Sequence, residues 1–191
     1  MKKTLKYILG VLVASFAMGS CVDNDDVVVN YYASTKVTAA GFLDQNPERF
    51  SQFINILQRT PYYALLSTYG EFTLFAPTNE AIDKYVTEMG FGSIEGMTDA
   101  NCDTLARTHI IKKGAYFTTD VVEGAMPDLN MEDSYIVLSS DSDVYNNNEL
   151  VYYINKNARM IEYDDSVTNG VVHVLNNVIT PANMLLADKI A

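Results

Sequence analysis

Apolar positions along the middle of the chain repeat at helical spacing. Phe50, Phe53, Ile54 and Leu57 follow i, i+3, i+4, i+7 and predict an amphipathic helix over 47–58. Asn46-Pro47-Glu48 is its start signal: Asn as N-cap, Pro in the first turn, and Glu against the positive helix end. Tyr62, Leu65, Leu66 and Tyr69 predict a second short helix, ended by Gly70. Phe72-Thr73-Leu74-Phe75 reads as a strand stopped by Pro77. Thr78-Asn79-Glu80 opens a further helix with Ile82, Tyr85, Val86 and Met89 on one face, and Thr78 or Asn79 is placed to cap its orphan amides. A helix is expected over 100–112, carrying Cys102, Leu105, Ala106, His109 and Ile110 on one stripe, with Lys112 and Lys113 in its last turn and Gly114 closing it.

Past Tyr116 the period changes from helical to alternating. Strands are expected at 115–119, 134–139, 150–154, 159–163 and 171–175, separated by turn clusters at Ser140-Asp141-Ser142-Asp143 and Asn146-Asn147-Asn148. Asn169-Gly170 is a tight-turn signal. Helices first and strands later predict an α+β domain without internal repeats, over residues 46–187.

The N-terminus follows neither pattern. Lys2, Lys3 and Lys6 precede an apolar run from Ile8 to Ala17, which has the length of a signal-peptide core and is too short to span a bilayer. Met18-Gly19-Ser20-Cys21 resembles a bacterial lipoprotein cleavage box, although Met stands where Leu is usual. That resemblance implies removal of residues 1–20 and diacylation of Cys21, and two acyl chains suffice for stable anchoring. A plain secretory signal with an incidental Cys is the competing reading. Asp23, Asp25 and Asp26 follow Cys21 directly, and the cluster resembles the surface-export signal of Bacteroidetes lipoproteins or serves as a solvated tether. Residues 21–45 read as acylated N-terminus and linker, with Val27, Val28 and Val29 as a short edge strand. The expected location is the outer membrane, surface-exposed, with a periplasm-facing orientation as the alternative.

Charge sharpens the reading. The 191 residues carry 13 basic and 24 acidic side chains, a net −11 with both histidines neutral. Removing residues 1–20 takes away three lysines and no acid, so the remainder carries −14. Such a balance excludes nucleic acid as a partner, since phosphate binding needs a basic patch.

Chemistry-bearing residues are few. Cys102 has no partner in the chain if Cys21 carries lipid, and its place on an apolar stripe makes it a small buried hydrophobe. His109 shares that stripe and reads as a core histidine with a ring nitrogen bonded to backbone. His173 alternates with Val172 and Val174, and reads as a polar surface position or a structural bond. Neither has a second ligand at metal spacing, so neither zinc nor any cofactor is expected. A Cys102–His109 nucleophile pair fails on distance: i, i+7 on one helix separates them by roughly 10 Å. Asp141-x-Asp143 begins like a calcium loop but lacks the following ligands and glycine, and reads as a solvated turn. One of Tyr152 and Tyr153 is expected to face the core and the other outward. There is no Trp to form a dedicated sugar-stacking platform.

Two motifs in order make the sequence specific. Thr73-Leu74-Phe75-Ala76-Pro77-Thr78-Asn79-Glu80-Ala81-Ile82 and Asn169-Gly170-Val171-Val172-His173-Val174-Leu175-Asn176-Asn177-Val178-Ile179-Thr180-Pro181 resemble the two signature boxes of the fasciclin domain. Leu105-Ala106-Arg107-Thr108-His109-Ile110 resembles its central segment, with Thr108 in place of the Tyr of a common Tyr-His pair. Asn176 stands where Asp is frequent. The resemblance implies a β-wedge of two sheets flanked by several helices, and makes Thr78, Asn79, His109, Asn169, Gly170 and His173 the family-motif positions, structural in role. It also implies a binding or adhesion function toward extracellular protein or glycan rather than an enzyme. Because of the Thr108 departure, the integrin role linked to the Tyr-His pair does not transfer. The alternatives are a structural or accessory subunit of an outer-membrane uptake or surface assembly, and a glycan- or peptide-acting hydrolase, which the absence of any nucleophile-base spacing disfavours.

Overall fold

The computed structural model describes residues 36–143 and 149–180, all within the second of two units into which the chain divides, from Ser34 onward. Residues 1–35, 144–148 and 181–191 lie outside it. So do Cys21, the signal segment, the acidic cluster, the Val27–Val29 strand, the Asn146–Asn148 turn and the end of the 46–187 domain.

Helices come first. α1 is Ala39–Asp44, α2 Pro47–Gln58 and α3 Tyr62–Leu66; after strand β1, Phe72–Pro77, come α4, Asn79–Glu88, and α5, Asp99–Thr108. The remaining strands are β2, Ile110–Ile111; β3, Gly124–Ala125; β4, Val137–Asp143; β5, Glu149–Ile154; β6, Ala158–Val167; and β7, Gly170–Leu175.

α1 corrects the expected linker. Thr38 caps it by accepting from the Gly41 amide, and Ala39, Ala40 and Leu43 are fully buried, so this part of residues 21–45 belongs to the folded core. Its short apolar run ends within six residues, too few for a helical period to show. Pro47 opens α2 as expected, but Asn46 does not cap it. Its side-chain amide donates back to Phe42 O (2.8 Å), tying α1 to α2.

The seven strands form one mixed sheet in the order β2-β1-β7-β6-β5-β4-β3, where two sheets were expected. β1 and β7 are parallel, with Phe75 opposite His173, and all other pairs are antiparallel. β6 divides its loyalties. Its first residues pair with β5 and the rest with β7 across two register shifts, a bend of the kind β-bulges produce. The sheet therefore curls.

Each face of the curl carries a core. Phe72, Leu74, Ala76, Val172 and Val174 face a cluster with Phe50, Phe53, Ile56 and Leu57 of α2. Phe75 and Leu175, one residue out of phase, face a second cluster with Leu138, Ile154 and Met160. The parallel pair is thus buried on both faces, the usual condition of parallel strands.

Three expected elements differ. The 100–112 helix stops at Thr108, because the His109 carbonyl accepts from the Phe75 amide (3.0 Å) and Ile110 and Ile111 pair with Leu74 and Thr73. Lys112 and Lys113 therefore follow a strand, not a helix end. Residues 115–119 form no strand. Their amides go to side chains instead, Tyr116 N–H to Thr73 Oγ1 (2.9 Å) and Thr118 N–H to Asp164 Oδ1 (2.8 Å). The second helix also ends early, at Leu66, leaving Tyr69 in solvent.

Candidate functional site: internal joints and an open groove

The signature positions are polar joints within the fold. Thr78, at the end of β1, caps α4 by accepting from the Ala81 amide (3.3 Å). Asn79 bridges instead of capping. It accepts from the Gln52 amide (3.0 Å) and donates to Glu48 O (2.9 Å), which fixes the first turn of α4 against α2.

Asn169 joins three segments. Its Oδ1 accepts from the Ala39 amide (2.8 Å), and its Nδ2 donates to Leu66 O (2.8 Å) and Thr68 O (2.7 Å), all in a site with almost no solvent access. The β6–β7 turn itself is Thr168-Asn169, with Val167 paired to Gly170. Gly170 opens β7 at φ 146°, and a Cβ there would lie 1.9 Å from Phe72 O on the neighbouring strand.

The two histidines are fully buried on different elements and serve different cores. His109 packs against the Phe53 ring, while His173 stacks on Phe75 with ring centroids 5.4 Å apart. His109 Nε2 accepts from the Ile179 amide (3.0 Å), so the proton sits on Nδ1 and is donated to Leu105 O (2.8 Å). Burial holds its pKa down to about 4. His173 takes the opposite tautomer: Nδ1 accepts from the Asp164 amide (3.2 Å), and Nε2 donates to Tyr116 O (2.9 Å). Burial lowers its pKa too. His173 is therefore a structural bond and not a surface position, because β7 lies inside the sheet with both faces covered.

Cys102 is fully buried, and burial pushes its thiol pKa up, which leaves it a poor nucleophile. Asp141 and Asp143 lie in β4 and not in a turn, opposite Val151 and Glu149. Among the described residues no group of three or more His, Cys, Asp or Glu side chains is placed to hold a metal ion, and no helix is long and apolar enough to cross a membrane. Tyr152 packs on the second core and against Tyr163 edge-on (5.2 Å), and Tyr153 on the other face of β5 is also half-buried.

What the motifs did not reveal is an open groove of about 360 Å³ beside β2, with Lys112 and Lys113 on one side and residues 127–135 on the other. Asn130, buried, holds that outer segment. Its Nδ2 donates to Thr108 O (3.0 Å), and its Oδ1 accepts from the Glu132 and Ser134 amides (3.1 and 2.9 Å). The Met131 amide donates to Ile110 O (2.9 Å), and Arg107 Nε donates to Met131 O (2.8 Å). The only trace in sequence is the polar turn Asn130–Ser134, whose distant partners periodicity cannot show.

Comparison with known proteins decides the family: the fasciclin-domain model matches residues 48–181, most of the chain. The chain belongs to the fasciclin-domain family. Transforming growth factor-beta-induced protein ig-h3 from Oryctolagus cuniculus is 31% identical over 127 residues, 66% of this chain and 17% of that protein. Human periostin is 27% identical over 146 residues, 71% of this chain and 15% of periostin. This fasciclin-domain chain thus spans less than a fifth of either. Protein sll1483 from Synechocystis is nearer in size, with 27% identity over 136 residues that make up 70% of this chain and 68% of that one. Among solved structures, a FAS1 domain pair from the insect cell adhesion molecule fasciclin I superposes with a TM-score of 0.61 at 18% identity, over 77% of this chain and 52% of that one. That likeness shares the fold: a curled mixed sheet with several helices.

Proposed function

We propose that this fasciclin-domain protein is a lipid-anchored, extracytoplasmic binding module without catalytic activity. In this reading Cys21 becomes the acylated N-terminus after residues 1–20 are removed. The residues between Cys21 and α1 set the reach from the outer membrane, and the domain presents its surface to an extracellular protein or glycan. The observation that carries the reading is that the signature side chains, His109, Asn169 and His173 among them, have their hydrogen-bonding atoms engaged inside the fold. These side chains therefore serve the fold, which supports a reading in which function lies at the surface. The adhesive role of fasciclin I, a cell adhesion molecule with the same fold, supports it.

Three measurements test it. Radioactive palmitate should label the wild-type chain and not Cys21→Ala; equal labelling removes the anchor. Proteinase added to intact cells should digest the protein if it faces outward and spare it if it faces the periplasm. The full chain should retain a ligand on an array of glycans and matrix proteins; binding to nothing overturns the adhesion reading in favour of a subunit role in a surface assembly.

A further inference from the structure

The structure assigns the groove beside β2 as a binding site for an acidic oligosaccharide, an inference that rests on the binding-module reading and gives it a site and a ligand class. The charge argument comes first. The chain is strongly acidic, and its four described arginines, Arg49, Arg59, Arg107 and Arg159, each lie in an ion pair with a carboxylate. Lys112 and Lys113 are adjacent and exposed, and neither forms an ion pair among the described residues. Two cations side by side on one wall, facing Asp128 and Asp133 on the other, create a local positive field on their own side of the groove that attracts an anion.

The groove is shaped for more than a single ion. Its volume of about 360 Å³ falls in the size range of small-ligand sites. Tyr135 lies on its wall with 65% of its surface exposed, offering a flat ring to the apolar face of a pyranose. Asp133 is exposed in the same wall, where it accepts from sugar hydroxyls. Asp128 also lines the groove, but one of its oxygens already accepts from Tyr116 OH.

That mixture separates ligand classes. An acidic peptide offers Asp133 no hydroxyls and Tyr135 no pyranose face. A neutral sugar leaves both lysines unmatched. A sugar chain with carboxylate or sulfate groups uses the lysines, the tyrosine face and the carboxylate together. The wall is also rigid before binding, since Asn130 and Arg107 tie it to α5 and β2, so little ordering cost opposes association.

The test uses the full chain in detergent and calorimetric titration with four probes: a galacturonate hexasaccharide, a heparin-derived hexasaccharide, a neutral galactose hexasaccharide and a hexaglutamate peptide. At least one acidic sugar should bind tenfold or more tightly than the neutral sugar and the peptide, and which one it is separates carboxylate from sulfate recognition. Lys112→Ala combined with Lys113→Ala should lower that affinity at least tenfold and flatten its salt dependence. Tyr135→Ala should lower affinity without changing the salt slope. Thermal melts of both variants should match wild type, because these side chains are exposed. Tightest binding of the peptide, equal binding of charged and neutral sugars, or unchanged affinity in the lysine variant would overturn the assignment. If the chain binds other ligands on the array while these variants behave like wild type, the groove fails and the binding-module reading stands. If the chain binds nothing at all, both fail.

Discussion

His109 Nε2 accepts the amide proton of Ile179, seventy residues further along the chain, at 3.0 Å in a site without solvent access. This bond joins the end of α5 to the segment that follows β7, and it requires a neutral imidazole.

Acid should therefore loosen the protein. The pKa of His109 is about 4 in the fold and near 6.5 in the unfolded chain, so between these values the unfolded state binds a proton that the folded state refuses. Stability is full above pH 6.5, falls as pH drops toward 4, and stops falling from this cause below that. A depression of this size corresponds to about 3 kcal/mol. His173, also lowered by burial, acts with the same sign. Urea midpoints from pH 7.5 down to 4 check this. A flat profile, or one no flatter in His109→Gln, would rule out the buried imidazole as the cause.

Asn169→Ala should cost about 3 kcal/mol. The substitution strands the Ala39 amide and the Leu66 and Thr68 carbonyls, each losing a partner in a buried site at roughly 1–3 kcal/mol apiece before relaxation. Asn169→Asp should be similarly damaging, because it keeps the acceptor for Ala39 but loses both donations. Denaturant titration of the two variants decides whether this side chain is the joint its bonds indicate.

Two glycines with positive φ should respond very differently to alanine. At Gly170 the added Cβ meets the Phe72 backbone within the parallel β1–β7 pair, where neither strand has room to retreat, and the chain should fail to accumulate as folded protein. At Gly90, φ 73°, nothing lies within 4 Å, so the cost is the backbone strain alone, about 1–2 kcal/mol. Soluble yield and circular dichroism of the two variants distinguish a collision from mere strain.

Cys102 should be silent until the protein opens. In a Cys21→Ala background, iodoacetamide should modify it slowly in buffer, at a rate that rises with urea, and at once in the unfolded chain. Fast native labelling would contradict both its burial and its raised pKa.

Local signals located most of the elements. Pro47, the Thr78 cap and the Phe50–Leu57 periodicity placed helices correctly, since each depends on neighbours within a turn or two. The same signals ran α5 too far, because Ile110 and Ile111 fit a helical stripe and a strand equally well until β1 supplies the pairing partner. His109 was readable as a core histidine from its stripe. His173 was not readable as buried, because alternation assigns faces and cannot say that both are covered.

The amino-acid sequence by itself determined the family, through two motifs in order, together with the acidic balance and the identity of the residues that became joints. Tertiary structure alone decided what those joints connect: Asn169 to α1, His109 to Ile179, Gly170 to Phe72. It also decided that Lys112, Lys113 and Tyr135 face one groove. The physical reason is range. Caps, turns and periods are set by residues a few positions apart, whereas partners 70 to 130 positions away are chosen only when the curled sheet closes on its two cores.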